Sequence, residues 1–228
     1  MDDSANRREP FDRVVVINLA RRAERMARFN ELFQSWPFKT PERFEAIDGL
    51  RVGLPGDWPH GPGAWGCMLS HRAVLGSAIA DGVSPLLVLE DDAHPAADFN
   101  VRAPEFLASV PGDWDCLMLG GQHLRPPIAV RPGVVRCVAS HRTHAFAVRG
   151  EMMPILLAFW NRFNTDHCDI VLSSLMRHFK AYAPEPFLIG QDAGESDVTG
   201  QIERVRFFSP PMTTDLKKCA KDQSPLAA

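Results

Sequence analysis

The stretch LLVLEDD, residues 86–92, is the most informative part of this 228-residue chain. Its four consecutive large apolar residues predict a short strand that is buried on both faces, as in the centre of a parallel sheet. Three acidic residues, Glu90, Asp91 and Asp92, follow directly. Because open α/β sheets bind ligands at the carboxyl ends of their strands, these acids are expected at the functional edge of a sheet.

Other segments predict the rest of an α/β domain around this strand. The order strand, helix, strand over the first 47 residues is typical of a parallel βαβ unit. Apolar runs predict further strands at 14–17, 44–47, 116–119 and 145–148. Periodic apolar residues predict helices at 21–33, 66–80, 152–163 and 169–179, and Gly and Pro residues predict a loop at 51–66.

Composition and charge exclude several classes of protein. Hydrophobic residues make up 45% of the chain and charged residues 23%, which excludes a wholly disordered chain, a collagen and a coiled coil. The net charge of -3 provides no basic surface for a nucleic acid, so no nucleic-acid partner is expected. We expect a single domain over residues 1–228, with mobile tails at 1–10 and 213–228.

The polar N-terminus predicts no export signal, and the longest apolar stretch, at 152–160, is about half of the ~20 residues that a membrane helix needs. The expected location is therefore cytoplasmic.

The five cysteines are widely spaced, without a CxxC pair, and are expected to be reduced thiols packed as small hydrophobic groups rather than zinc ligands. They are Cys67, Cys116, Cys137, Cys168 and Cys219.

Adjacent carboxylates repel one another unless a cation offsets them, and Mg²⁺ and Mn²⁺ prefer such oxygen ligands. The acids at 90–92 could instead form a solvated turn.

Three classes of metal-using enzyme could place acids here. A haloacid-dehalogenase-like phosphatase would need a nucleophilic Asp after the first strand, where Asn18 stands. A two-metal nuclease would need further acid clusters and a basic groove. A nucleotide-sugar transferase needs one metal on a diphosphate and one separate base, which fits the acids available.

Several short motifs, taken in order, resemble glycosyltransferase family 25, the lipooligosaccharide galactosyltransferase group that includes collagen galactosyltransferases. The resemblance extends from about residue 14 to residue 200. The matching segments are VINL at 16–19 with Arg21 and Arg25, AIDG at 46–49, GAWGC at 63–67, LSH at 69–71, LEDDA at 89–93, Asp169, and Ser196 with Asp197.

This resemblance implies a GT-A fold, in which a Rossmann-like nucleotide half and an acceptor half share one domain with a mixed central sheet. The implied reaction is inverting transfer of a hexose, usually galactose from UDP-galactose, to a lipooligosaccharide or another surface polysaccharide. Glu90 and Asp92 occupy the first and third positions of a DxD-like motif that would hold Mn²⁺ or Mg²⁺. The chain departs from the GT-A pattern because no His follows Gly200 as a further metal ligand.

Further site residues follow from the same resemblance. Asn18, Arg21, Arg25 and Asp48 match positions near the nucleotide, although the two arginines could form a solvated helix face. His71 is expected either to contact the diphosphate or donor sugar or to be a hydrogen-bonded core residue.

Inverting transfer also needs a general base on the acceptor hydroxyl. Asp169 is the first candidate, with helix N-capping as the alternative. Asp197 is the second candidate, and it could instead bind acceptor or diphosphate.

Two alternatives of other classes stay open. One is a degenerate GT-A domain that binds nucleotide-sugar or glycan without turnover, and the other is a metal-dependent phosphohydrolase. A lipid-linked oligosaccharide acceptor would place the enzyme at the inner face of the membrane. There, Lys217, Lys218 and Lys221 could add at most weak contact, about 1 kcal/mol each.

Overall fold

The computed structural model of the chain describes residues 9–163 and 165–208. The predicted tail at 213–228 with its three lysines, and all but the last two residues of the tail at 1–10, lie outside the described residues. Within the described ranges, no helix is long and apolar enough to cross a membrane.

The described chain forms five helices and fourteen strands. The helices are α1 (Ala23–Leu32), α2 (Pro62–Ala80), α3 (Phe99–Ser109), α4 (Met152–Arg162) and α5 (Cys168–Leu175). The first seven strands are β1 (Arg13–Asn18), β2 (Glu42–Glu45), β3 (Leu86–Glu90), β4 (Ala93–Pro95), β5 (Cys116–Met118), β6 (Gln122–His123) and β7 (Ile128–Arg131). The remaining seven are β8 (Val134–Arg136), β9 (Ser140–His141), β10 (Ala145–Val148), β11 (Ala181–Pro184), β12 (Ile189–Gln191), β13 (Gly194–Glu195) and β14 (Ile202–Glu203).

Eight strands form one mixed central sheet in the order β2-β1-β3-β10-β5-β11-β8-β7. Strand β1 is parallel to both β2 and β3, whereas β10 is antiparallel to its neighbours β3 and β5. The predicted α/β class with a mixed central sheet is therefore confirmed. Three short two-stranded sheets, β12-β4, β13-β14 and β6-β9, accompany it in the described part.

The central strands are buried on both faces, as the apolar run at 86–89 predicts. Alternate residues belong to different hydrophobic clusters: Val15 and Val88 lie in one cluster, and Val16 and Leu89 lie in the other. This alternation follows from the two-residue repeat of a strand, which directs successive side chains to opposite faces. Both faces of the sheet are consequently covered, which is how parallel strands are stabilised.

The predicted βαβ unit is confirmed, because β1 and β2 are parallel and α1 connects them. Helix α1 packs Phe29 into the core, where its ring stacks on that of Phe33 at 4.3 Å. The second strand ends at Glu45 rather than Ile47, although the Ala46 N–H still donates to the Asn18 carbonyl. The sequence predicted this strand two residues too late.

Other boundaries and elements differ from the prediction. Helix α2 begins at Pro62, four residues before the predicted start, so the predicted loop at 51–66 is shorter. Proline suits a first helical turn, where its missing N–H would have no partner. Helix α3 was not predicted because Pro104 lies inside it. Helix α5 ends at Leu175 rather than at residue 179.

The topology brings four segments to one edge of the sheet. The parallel strands β1, β2 and β3 all end there, at Asn18, Glu45 and Glu90. Because β10 is antiparallel to β3, the segment that precedes β10 reaches the same edge. The Glu90 N–H donates to the His144 carbonyl at 2.9 Å, which fixes that segment beside the acids.

Candidate active site

A cavity of about 500 Å³ opens at this edge of the sheet. Of the nine predicted site residues, all of which lie in the described ranges, eight line it and only Asn18 does not. The eight are Arg21, Arg25, Asp48, His71, Glu90, Asp92, Asp169 and Asp197. Residues that lie far apart in the sequence therefore meet around one space large enough for a small-molecule ligand.

The acids after β3 do not form a solvated turn. Asp91 is only 8% exposed, and its Oδ1 lies 2.7 Å from a guanidinium nitrogen of Arg25. The same nitrogen lies 3.2 Å from Asp92 Oδ2. Arg25 thus supplies, inside the protein, part of the positive charge that we expected from a metal ion beside the adjacent acids. It also means that Arg25 does not lie on a solvated helix face.

Asn18 supports this cluster from behind. It is fully buried, and its amide donates to Asp91 Oδ2 at 2.7 Å and to the Arg22 carbonyl at 3.0 Å. Its carbonyl oxygen accepts from Arg43 at 2.9 Å. These bonds use both amide protons of Asn18. The residue therefore positions Asp91 and α1, and the place near the nucleotide that the resemblance implies for it stays a prediction.

Burial shifts the titration of two of the three acids. Burial, with the neighbouring charge of Asp92 as a further cause, raises the pKa of Glu90 to about 8. Burial also raises the pKa of Asp91 to about 6, against the opposing effect of Arg25. At neutral pH a proton or a nearby cation is therefore favoured at Glu90, whose side chain is only 24% exposed, because a largely buried carboxylate without compensation is costly.

Asp92 provides the open oxygen in the cluster. Its Oδ2 accepts from Gln191 at 3.2 Å, whereas its Oδ1 is buried and has no hydrogen-bond partner among the described residues. A buried acceptor without a donor fits a cation or a ligand donor. Mg²⁺ is commonly held by one or two carboxylates together with water and phosphate oxygens, so Asp92 and Glu90 fit such an ion.

Asp197 is held by three arginines of the α1 region, Arg21, Arg22 and Arg25, which we call the arginine clamp. The three nitrogen–oxygen distances are 2.7, 2.9 and 3.0 Å, in that order. Burial would raise the pKa of Asp197, but hydrogen bonds from Arg22 and Arg21 outweigh it and lower the pKa below its ordinary value. A carboxylate with a lowered pKa is a weak base, so this geometry favours an anchoring role for Asp197.

Arg21 also binds Asp48, whose Oδ2 lies 3.2 Å from Arg21 Nε.

The backbone of the segment that carries Asp197 lies very close to the first turn of α2. A Cβ built on Gly63 would lie 1.9 Å from the Asp197 carbonyl oxygen. The glycine of the GAWGC motif is therefore required by backbone approach, which closes the segment 194–203 over the cavity.

Asp169 lines the cavity from the first turn of α5. The N-cap of α5 is His167, and no side chain caps this helix. Asp169 Oδ2 instead accepts the backbone N–H of Arg142 at 3.0 Å. The N-capping alternative for Asp169 is therefore wrong. Arg142 adopts a φ of 78°, a strained conformation for a non-glycine residue, and Asp169 holds it in the cavity wall.

His71 lies at the base of the cavity and is only 2% exposed. Its Nδ1 is 3.0 Å from the Cys67 carbonyl oxygen, and its Nε2 is 3.6 Å from Glu90 Oε1. The hydroxyl of Thr143 donates to the same oxygen of Glu90 at 2.9 Å. His71 is therefore a hydrogen-bonded interior residue that also lines the cavity, and its contact with the diphosphate or donor sugar stays a prediction.

The sequence did not identify several residues of the site. Arg142, Thr143 and Gln191 line the cavity from segments without a recognisable motif. Cys67 and Cys168 also line it, although they were expected to be ordinary core residues. The four-residue spacing of Cys67 and His71 could have shown that they share a helix face. The four described cysteines form no disulfide, and Cys116 and Cys137 are core residues as predicted.

Comparison with known proteins relates the chain to glycosyltransferase 25 family members. A Homo sapiens protein named "Inactive glycosyltransferase 25 family member 3" is 30% identical over 164 residues, which is 61% of this chain and 27% of that protein. "Putative glycosyltransferase R655" of Acanthamoeba polyphaga mimivirus is 32% identical over 119 residues, 47% of this chain and 37% of that protein. The chain thus spans about a quarter to a third of these curated relatives.

No protein-family model matches the chain. Among solved structures, a glycosyltransferase involved in glycosylating the major capsid of PBCV-1 aligns with a TM-score of 0.40 and 12% identity, over 66% of each chain. The fold description accordingly rests on the topology of this chain itself. At the level of sequence, the chain is similar to proteins named as glycosyltransferase 25 family members.

Proposed function

We propose that the chain is an inverting glycosyltransferase of GT-A type that transfers a hexose, galactose in the first instance, from a UDP-sugar to a glycan acceptor. The observation that carries the proposal is the arrangement of the cavity. It joins a buried acidic oxygen without a hydrogen-bond partner, Asp92 Oδ1, and cationic side chains of the arginine clamp to a separate carboxylate, Asp169, from another segment. The sequence similarity supports the same class of reaction.

In this proposal Arg21 and Arg25, the two arginines of the clamp that line the cavity, bind the donor diphosphate. Arg21 is the most accessible arginine of the clamp, with 39% of its side chain exposed, so it is the first to meet a phosphate oxygen. A guanidinium suits this role because its fork of N–H donors matches phosphate oxygens. Asp197 keeps the clamp in place before the donor binds.

A divalent cation on Asp92 and Glu90 would offset the negative charge that develops on the leaving diphosphate. The other steps depend on side chains of the chain itself. The acceptor oxygen forms a bond to the anomeric carbon from the face opposite the diphosphate. The bond from that carbon to the diphosphate oxygen breaks, and its electron pair leaves with UDP. Asp169 accepts the proton of the acceptor hydroxyl.

The acceptor proposed is a lipooligosaccharide or another surface polysaccharide at the inner face of the membrane, which follows from the family resemblance alone. A donor and acceptor screen with the full-length protein tests this part separately from the chemistry.

The second candidate function is binding of nucleotide-sugar or glycan without turnover. It is favoured by Arg25, which already compensates Asp91 and Asp92, so the acids have a partner without a metal ion. The mammalian relatives are also named inactive.

UDP release from a panel of UDP-sugars, with and without glycan acceptors and Mn²⁺, separates the two candidates. Transfer is expected with at least one donor, and it should require an acceptor. Measurable UDP binding with no release or transfer from any donor would support the second candidate. Phosphate release from simple esters would support a phosphohydrolase instead.

A further inference from the structure

We propose that Cys67, His71 and Cys168 form a binding site for one thiophilic divalent cation of the Zn²⁺ type, at the base of the cavity. The site is separate in chemistry from the acids, because thiolate and imidazole ligands select zinc-like ions, whereas carboxylates select Mg²⁺ and Mn²⁺. It does not depend on the proposed transfer activity, and it is an alternative to the expectation that the cysteines bind no zinc.

The three ligand atoms come from two helices that the fold packs together. Cys67 and His71 lie one turn apart on α2, and Cys168 is the first residue of α5. The two sulfurs and a ring nitrogen all lie within 4.8 Å of one another. Cys168 is 5% exposed and His71 is 2% exposed, so the ligand atoms are held by core packing rather than by mobile surface side chains.

The spacing of the ligand atoms matches a tetrahedral zinc ion. Bonds of about 2.3 Å to sulfur and about 2.05 Å to nitrogen, at the tetrahedral angle, require about 3.8 Å between two sulfurs and about 3.6 Å between sulfur and nitrogen. The distance from Cys67 Sγ to Cys168 Sγ is 3.8 Å, and that from Cys67 Sγ to His71 Nδ1 is 3.6 Å. Cys168 Sγ lies within 4.8 Å of a ring nitrogen of His71, and on binding an ion Nδ1 would exchange its 3.0 Å contact with the Cys67 carbonyl oxygen for a bond to the metal.

The surroundings of His71 fit the same role. With a metal ion on Nδ1, the ring proton resides on Nε2, which is buried and forms no hydrogen bond with the described residues. That nitrogen lies 3.6 Å from Glu90 Oε1, so a small approach would let it donate to the carboxylate. A carboxylate that accepts the distal ring proton is the usual support for a zinc-binding histidine.

The fourth ligand would come from the cavity, since all three residues line it. Three protein ligands with one open position are typical of zinc sites that accept water or a bound molecule. Both thiols must lose a proton on binding, so affinity should rise with pH.

Co²⁺ is the probe, added to reduced full-length protein under nitrogen. We expect one Co²⁺ per chain, with a thiolate-to-metal charge-transfer band and the intense visible bands of tetrahedral cobalt, and we expect Zn²⁺ to displace it. Cys67→Ala and Cys168→Ala should each abolish the charge-transfer band or weaken Co²⁺ binding. Because changes to residues that only support a metal ligand already reduce affinity by about 10- to 100-fold, the loss of a ligand should exceed that range. Cys137→Ala, which removes a buried thiol outside the cluster, should bind Co²⁺ like the wild type. Asp92→Asn should also keep the band.

Alkylation followed by peptide mass spectrometry provides a second measurement in the unmodified protein, where folding of variants is not a concern. Zn²⁺ should protect Cys67 and Cys168 from iodoacetamide and leave the reactivity of the other cysteines unchanged. The proposal is overturned if stoichiometric Co²⁺ produces no thiolate band, or if the band survives both cysteine substitutions. Isolation of a Cys67–Cys168 disulfide from protein that takes up no metal after reduction would also overturn it, and would indicate a redox-sensitive pair.

Discussion

The guanidinium of Arg25 lies 2.7 Å from the carboxylate of Asp91, and this ion pair joins the first helix to the carboxyl end of β3. Asp91 is 8% exposed, whereas Arg25 keeps 22% of its side-chain surface accessible from the cavity. The pair therefore combines two functions in one contact. It compensates a buried acid, and it holds a cationic group where a diphosphate is proposed to bind.

Replacing Arg25 with Met should leave the buried carboxylate of Asp91 without its cationic partner. The free energy of unfolding should fall by up to about 3–5 kcal/mol, the cost of breaking a buried pair by removing one member. Arg13→Met is the matched control, because its partners Glu42 and Asp81 are at least half exposed and such pairs contribute about 0–1 kcal/mol. Urea unfolding of both variants measures the difference. Equal losses would show that the Arg25–Asp91 pair has no special role.

Asp169→Asn should remove the proposed base and keep the fold, because an amide oxygen can still accept the Arg142 N–H. Transfer should fall by roughly 10²- to 10⁴-fold, with UDP binding unchanged. Asp166→Asn is the control, since Asp166 lies three residues away and does not line the cavity. Single-turnover transfer and calorimetric UDP titration supply the two readouts. A wild-type rate in Asp169→Asn would assign this carboxylate to holding Arg142 only.

Asp92→Asn should weaken UDP binding in the presence of Mn²⁺ by roughly 10- to 100-fold, the effect typical of disturbing a metal site. In EDTA the variant and the wild type should bind UDP alike, because the difference depends on the cation. Asp98→Asn, with a side chain 59% exposed, serves as the control. If chelator has no effect on the wild-type protein, the clamp alone holds the diphosphate and the metal proposal fails.

The raised pKa of Glu90 should make stability depend on pH. Between its ordinary value of 4.5 and about 8, the folded protein holds a proton that the unfolded chain has released. The free energy of unfolding should therefore fall as the pH rises through this window. Glu90→Gln should flatten the curve, whereas exposed Glu105→Gln should not. Denaturant titrations at several pH values test this, and parallel curves for wild type and Glu90→Gln would contradict it.

Gly63→Ala should displace the segment that carries Asp197, because the new Cβ would lie 1.9 Å from the Asp197 carbonyl oxygen. UDP affinity should decrease and proteolysis within residues 194–203 should become faster. Gly56→Ala is a suitable control, since nothing lies within 4 Å of its Cβ position. Identical protease maps for the two variants would mean that the close approach does not restrain the segment.

The sequence was sufficient for the parts of this protein that depend on local pattern. The apolar run at 86–89 predicted a strand buried on both faces, and the acids after it lie, as expected, where the parallel strands end. Short motifs in order also pointed to eight residues that line the cavity, among them Glu90 and Asp92 at the end of β3 and Asp169 in the first turn of α5.

The tertiary structure decided how these residues are paired. Asn18 and Asp91 are 73 positions apart, and Arg25 and Asp197 are 172 apart, so no local pattern contains either contact. The antiparallel insertion of β10 brings Arg142 and Thr143 to the acids, and helix packing brings Cys168 to Cys67. Charge compensation, the raised pKa of Glu90 and the sulfur–nitrogen cluster all arise from burial between distant segments. The sequence determines which ionisable side chains are present. Their electrostatic energies depend on the distances between them and on their exclusion from solvent, and both are determined only in the folded chain.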